Sequence, residues 1–412
     1  MSLSVFIALI HIVISHKFDY EGRIANGEKV SANDYPWMVS LRNVLLYNTP
    51  SSTYNISLNA TNITNATTTT ITTNATSRII EWQFCGGSLF EIDPPMILTA
   101  AHCVDNLVWD EANMTWLYAG IWPTEVYADI NRTYETANRS DDTYYTLPIY
   151  TWDIHIHPSW TGDLFQGYDI ALIIMNLFNE TEHDIDIDYY EKLLPTLLTE
   201  NAYDDGISCC SEDEELEIIG YGDTHANGSD PGQLRRADMK YMDIDTCVTE
   251  SVKGEMALIL NGTKLPDDLT LYGYPGNITT VDEFEKYLDN LIRYNSGVAN
   301  GNIVCIIGDN TAACPGDSGG PLFRTNLVNN KPEIIGVASY VMGLCNDGFP
   351  AGYTNVADYD HWIRSTISYE AYGISFDPTP SPTRAPFITD DGYRCYGGIF
   401  HMVVIMCLSI YF

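Results

Sequence analysis

The stretch "TAACPGDSGGP", Thr311 to Pro321, sets one serine among three glycines within eleven residues. Glycine lets a backbone turn tightly and come close to a ligand, and such a turn can aim two N–H groups at one oxygen. A serine hydroxyl is a poor nucleophile near neutral pH unless a base takes its proton and a third group orients that base. Two other segments offer those partners. "LTAAHCV" puts His102 at a strand end beside a cysteine, and "GYDIALIIM" puts Asp169 before an apolar run that reads as a buried strand. Each signal alone has a structural explanation: a satisfied core histidine, a strand cap, a plain turn. Taken together, in the order His, Asp, Ser, they point to nucleophilic catalysis by Ser318.

Working outward, strand-like segments recur at short intervals: "MILTAA", "LIIMNLF", "LEIIGYG", "NIVCII" and "EIIGVASYV". Gly, Pro and Asp turns separate them, which is the pattern of an all-β sandwich or barrel. Two helices stand out. One covers Thr280 to Tyr294, with Val281, Phe284, Leu288, Leu291 and Ile292 on one face and a Thr280/Glu283 capping box. The other covers Val356 to Tyr369. The tract Asn55 to Thr76 is rich in Thr and Asn without an alternating apolar set, so it reads as a long glycosylated surface loop rather than the alternative, a β-rich Thr strand pair.

These motifs carry a resemblance. "RIANG", "FCGGSLF", "LTAAHC", "YDIALI", "IGYG", "GDSGGPL", "GVASYV" and "GYTNVADYDHWI" resemble the trypsin/chymotrypsin family of serine proteases from Ile24 to about Tyr369. The resemblance implies an all-β fold of two antiparallel six-stranded barrels with a C-terminal helix, here with long surface insertions at about 47–78 and 248–304. It implies Ser318 as acylating nucleophile, His102 as base then acid, Asp169 as orienting carboxylate, and the N–H groups of Gly316 and Ser318 as an oxyanion hole. It also implies a zymogen: cleavage after Arg23 would free the amine of Ile24 to pair with Asp317, with residues 16–23 as propeptide. Disulfides Cys85–Cys103, Cys247–Cys305 and Cys314–Cys345 follow from the same likeness, the second across an unusually long loop. Arg324 stands where the family often has a cysteine. Cys209, Cys210, Cys395 and Cys407 are left without an assigned pairing.

In that family the residue six before the nucleophile lies at the base of the primary specificity pocket, and an aspartate there selects Arg or Lys. Here it is Ala312, which leaves a cationic side chain to be buried without a partner, at heavy cost. Val341 and Ala351 stand at the wall positions, with Ser339 and Tyr340 preceding Val341. The set resembles an elastase-like pocket, and small or medium aliphatic residues are the expected preference.

The remaining features concern export and partners. "MSLSVFIALIHIVIS" has an apolar run too short to span a bilayer and reads as a secretory signal over residues 1–15. Ten cysteines suit an oxidising compartment, and twelve Asn-x-Ser/Thr sequons add to the case for a secreted glycoprotein. Residues 370–412 form a Pro-rich spacer and an apolar end, for which a GPI-type anchor, a short tail anchor and a soluble tail are the three readings. A net charge of −35 argues against nucleic acid as a partner and for steering of cationic ones. Protein or peptide substrates, an activating protease and protein inhibitors are the expected partners. No metal or other cofactor is called for, since "HIH" at His155–His157 lacks the His-x-x-x-His spacing of a helical zinc site. The competing reading is a non-catalytic glycosylated surface or adhesion protein on the same fold, which reactivity of Ser318 discriminates.

Overall fold

The computed structural model describes residues 24, 26–31, 33–49, 52–57, 68–73, 76–110, 115–118, 122–133, 145–150, 153–175, 190–199, 210–211, 214–222, 233–260, 264–266, 268–272, 274–314, 316–326, 328–342 and 348–372. The signal and propeptide segments and residues 373–412 of the tail lie outside them, as do Cys209 and Cys345.

Six of the nine strands described in the first sheet form a continuous path: β1 (Met38–Thr49), β2 (Thr76–Ile92), β3 (Pro95–Thr99), β4 (Trp122–Ile130), β5 (Ile154–Ile156) and β6 (Ala171–Ile174). They pair antiparallel in the order β5-β6-β3-β2-β1-β4, and the sheet curls around a core that includes Trp37, Leu41, Ile97, Leu98 and Leu172. The second sheet holds β7 (Leu216–Gly220), β8 (Arg235–Met242), β9 (Ile303–Ile307), β10 (Pro321–Thr325), β11 (Pro332–Val341) and β12 (Ala351–Asn355). Its strands run β8-β7-β10-β11-β12-β9, and β9 pairs back onto β8 through Met242 and Cys305, so this barrel closes. Closure removes the exposed edges that an open sheet would present. The apolar runs "ALII" of β6 and "IVCII" of β9 lack polar alternation because these strands are covered on both faces.

The sheets meet where β2 reaches the turn after Cys314. Gly86 donates its N–H to the carbonyl of Ser318 at 2.7 Å. A side chain at Gly86 would press on the Gly320 backbone, with a Cβ only 3.2 Å from its Cα. The two barrels therefore touch backbone to backbone at the serine loop.

Five α-helices are described besides short 3₁₀ turns: α1 (Ala101–Val104), α2 (Ile244–Ile259), α3 (Val281–Asn295), α4 (Gly297–Asn300) and α5 (Asp360–Tyr372). The capping box at Thr280 and Glu283 forms as read, with α3 displaced by one residue at each end from the expected span. The C-terminal helix starts as a 3₁₀ turn over Val356–Tyr359 and continues as α5. Helix α2 was not anticipated. Its Asp243 cap accepts the N–H of Thr246 at 3.0 Å, and Cys247, Val248, Ser251, Val252, Glu255 and Ile259 share its buried side. The small and β-branched residues in that set hid the helical period. Helices α2, α3 and α4 build a third core with Phe284, Leu288, Ile292 and Val298, tied to β9 by the Cys247–Cys305 disulfide.

The Thr/Asn-rich tract corrects the loop expectation. Ser52–Ser57 pairs antiparallel with Thr68–Thr73 as a two-stranded ribbon beyond the β1–β2 hairpin. Threonine is β-branched and suits extended backbone, and that preference prevails here without an alternating apolar face. Among the sequons, Asn131 is buried and donates its side-chain amide to Asn33 at 2.7 Å, whereas Asn277 is exposed.

Candidate active site

Strand β3 ends at Thr99 and the chain turns at once into α1, a single helical turn that carries His102. The Cys85–Cys103 disulfide ties this turn to β2. Asp169 lies at the entry to β6, fully buried, with its carboxylate surrounded by donors. Its Oδ1 accepts the backbone N–H of His102 at 2.9 Å; its Oδ2 accepts His102 Nδ1–H at 2.7 Å and the Ser339 hydroxyl at 2.6 Å. Thr354 holds the Asp169 carbonyl from β12 at 2.9 Å. With Nδ1 donating to Asp169, the neutral imidazole keeps the proton on that nitrogen and leaves Nε2 as the acceptor. Burial works against the charged ring, but the Asp169 charge and hydrogen bond and the Asp105 charge outweigh it, so the His102 pKa is raised above 6.5.

The serine loop alternates in a way that matters chemically. Around Ser318, the Gly316 carbonyl accepts Gln83 Nε2–H at 2.7 Å, and the Asp317 N–H donates to the Cys314 carbonyl at 3.0 Å. On the other side, the Ser318 carbonyl accepts from Gly86, and the Gly319 N–H donates to Ala338 at 2.8 Å. The peptide groups before and after the serine's own pair are thus held at both ends. Among the described residues, the N–H groups of Gly316 and Ser318 donate to no acceptor. Gly316 adopts φ 94° and Gly319 φ 76°, in the left-handed region open to glycine. A Cβ at Gly319 would also lie 2.3 Å from Thr99 Oγ1, so the loop abuts the residues that lead into α1. No hydrogen bond joins Ser318 to His102 in this structure; such contacts are often long in sites without substrate.

Asp317 turns its carboxylate inward, where Oδ1 accepts the Gly222 N–H at 2.7 Å and Oδ2 the Cys314 N–H at 2.8 Å. Only glycine fits beside it, since a Cβ at Gly220 would come within 2.0 Å of Oδ1. Ile24 is fully buried in the core of the second barrel.

Ala312, Val341 and Ala351 do come together, in one small cavity with Ala313, Met239, Ile306, Met342 and Phe349. Its room is ≈ 10 Å³, about one water's worth. Ser339 and Tyr340 stand outside that lining. Ser339 faces Asp169, and Tyr340 is buried against Phe165, with ring centroids 4.7 Å apart. Adjacent strand residues point to opposite faces, which separates Tyr340 from Val341. Cys85, His102 and Cys103 cluster closely, but the two sulfurs are bonded to each other and are not free to ligate a metal.

Thr354, Gln83 and Asp105 also belong to the site. Asp105 accepts the Trp160 indole N–H at 2.9 Å, and its charge acts on His102. Nothing in the local sequence marks Thr354 or Gln83, because each gains its role from a contact distant along the chain, whereas Asp105 stands only three residues after His102.

Two barrels that bring a histidine, a buried aspartate and a glycine-framed serine to their junction define a serine-hydrolase architecture. The family model Trypsin matches residues 61–264 and 277–363, and the chain belongs to the trypsin family of serine proteases. Bovine chymotrypsin-like elastase family member 1 is 26% identical over 355 residues, covering 84% of this chain and 90% of the relative. Chicken trypsin II-P29 is 25% identical over 289 residues, covering 70% and 81%. A venom serine protease of the wasp Polistes dominula is 20% identical over 359 residues, covering 86% and 89%.

Proposed function

We propose that this protein is a secreted serine endopeptidase that works through an acyl-enzyme and is made as a zymogen activated by cleavage after Arg23. The observation that carries the reading is the hydrogen bond from partly buried His102 to buried Asp169, with a serine loop whose Gly316 and Ser318 N–H groups meet no acceptor among the described residues. In the reaction, His102 Nε2 takes the Ser318 proton as the hydroxyl oxygen attacks the substrate carbonyl. The Gly316 and Ser318 N–H groups receive the developing oxyanion. His102 then gives the proton to the leaving amine, which departs as the C–N bond breaks. Water, deprotonated by the same nitrogen, cleaves the ester and restores Ser318. Asp169 holds the tautomer and stabilises the imidazolium without itself becoming protonated.

Activation after Arg23 is supported by the burial of both Ile24 and Asp317, since a new amine would be a fitting partner for a buried carboxylate. The signal-like start, the cysteines and the sequons support secretion. Pocket chemistry supports cleavage after small or medium aliphatic residues over Arg or Lys: Ala312, Val341 and Ala351 line one cavity, and no carboxylate lines it.

The test is a peptide p-nitroanilide panel with protein cleaved at Arg23. Ala and Val substrates should be hydrolysed about tenfold or more faster than Arg and Lys substrates, and Ser318→Ala should leave no turnover. Faster cleavage after Arg or Lys overturns the specificity. Equal rates for wild type and Ser318→Ala overturn the mechanism.

A further inference from the structure

We infer that Gln83, on the first barrel, is a positioning residue for the oxyanion-binding loop of the second, and that this chain depends on its side-chain N–H for transition-state stabilisation. The inference rests on the serine-protease reading above and adds a residue to it.

The geometry starts with β2. Strand β1 pairs Leu41 with Cys85 but Arg42 with Gln83, so Phe84 is an extra residue at a β-bulge. Bulges re-aim neighbouring side chains and occur beside active sites. Here Phe84 enters the core, while half-buried Gln83 reaches across to the Gly316 carbonyl at 2.7 Å. Only the amide nitrogen of Gln83 can donate to a carbonyl, which fixes the orientation of the side chain. The same strand donates the Gly86 N–H to the Ser318 carbonyl at 2.7 Å. Two bonds from one strand therefore hold the two carbonyls that flank Asp317 and Ser318.

Their consequence is directional. Each peptide group carries its N–H opposite its carbonyl. Holding the 316–317 and 318–319 peptides on the β2 side constrains the turn between them, and Gly316 has almost no intrinsic preference for its φ of 94°. Without the Gln83 bond, that peptide is held only through the Asp317 N–H to the Cys314 carbonyl, and the Gly316 N–H is less firmly directed. Preorganised donors are effective because no reorientation is needed as charge develops. The Gly86 bond alone leaves the Gly316 side of the loop untethered by β2.

The test uses Gln83→Ala, Gln83→Glu and Gln83→His in the full chain cleaved at Arg23. Glutamate keeps the shape but presents only acceptors to the Gly316 carbonyl; histidine keeps a ring N–H donor at similar reach. Gln83→Ala and Gln83→Glu should lower kcat about 10- to 100-fold, less than outright loss of an oxyanion donor. KM should stay nearly constant. Affinity for a peptide boronic acid, whose adduct presents an oxyanion, should fall in proportion to kcat, and Gln83→His should recover much of both. Melting temperature separates this from a folding defect, and Gln83→Ala carries the test should Gln83→Glu fold poorly. Unchanged kcat and boronate affinity in Gln83→Ala, with active wild type, overturn the inference alone. A loss expressed in KM rather than kcat overturns it too. Wild type that neither turns over substrate nor binds boronate overturns the serine-protease reading, and with it this inference.

Discussion

Asp169 is the residue on which the site turns, since it receives three hydrogen bonds while fully buried and holds His102 through two of them. His102 must be neutral to act as a base. Its pKa is raised above 6.5 by Asp169 and Asp105 against the opposing effect of burial, so the acid limb of kcat/KM should fall above pH 6.5. Asp105→Asn removes one of the charges that favour the imidazolium. The limb should then move to lower pH while the plateau is kept, and an unmoved limb contradicts the assignment. Asp169→Asn should lower the plateau itself, by about 10⁴, because the wrong tautomer is then favoured. His102, Asp169 and Ser318 stand out in the sequence because each lies in a short motif whose chemistry needs neighbours of that type, and the structure joins the first two. Ser339 was legible only as a position, and its bond to Asp169 corrects its role. Gln83 and Thr354 carry no local signal, and their partners lie far along the chain.

At the scale of elements, α5 and its 3₁₀ entry pack on the first barrel around His157. The ring of His157 stacks on Tyr168 at 5.3 Å and meets Tyr359 and Trp362 edge-on at 5.0 Å each. Burial lowers its pKa to about 4 from 6.5. The unfolded chain therefore binds this proton first, so the stabilisation is complete above pH 6.5 and is lost as pH falls towards 4. His157→Phe cannot titrate, and its melting temperature relative to wild type should rise between pH 6.5 and 4. A flat difference contradicts this account. Helix α2 acts on the pocket, because a Cβ at Gly254 would lie 3.0 Å from Met342 Cβ and 3.1 Å from Phe349. Gly254→Val should therefore press both residues into the small cavity and reduce kcat/KM for Val substrates more than for Ala substrates. Equal effects on both would show that α2 does not set pocket size. Helix α3 was legible from its apolar stripe and capping box. Helix α2 and the threonine ribbon were not, since small buried residues and a uniformly polar tract leave no period to read.

For the whole molecule, short apolar strands separated by turn residues made the all-β class legible, and the family resemblance supplied the double barrel. Closure of the second barrel depends on β8 meeting β9 beside an insertion whose joined cysteines stand 58 positions apart. At the place where relatives often carry a cysteine, Arg324 instead joins Glu214 and Glu333. The charge of −35 sets long-range behaviour. It should speed encounter with cationic protein substrates at low salt, so kcat/KM for a basic protein should fall several-fold as ionic strength rises through the range where the Debye length drops below about 10 Å. A neutral substrate should show little change, and equal salt dependence for both would remove the steering argument. The central claim concerns the hydroxyl of Ser318, and one measurement reaches it directly: fluorophosphonate labelling of the protein before and after cleavage at Arg23, with the modified residue located by mass spectrometry. The account predicts a single adduct on Ser318 after cleavage, little before it, and none in His102→Ala or Ser318→Ala. Absence of an adduct on Ser318 in the cleaved, folded protein would contradict it.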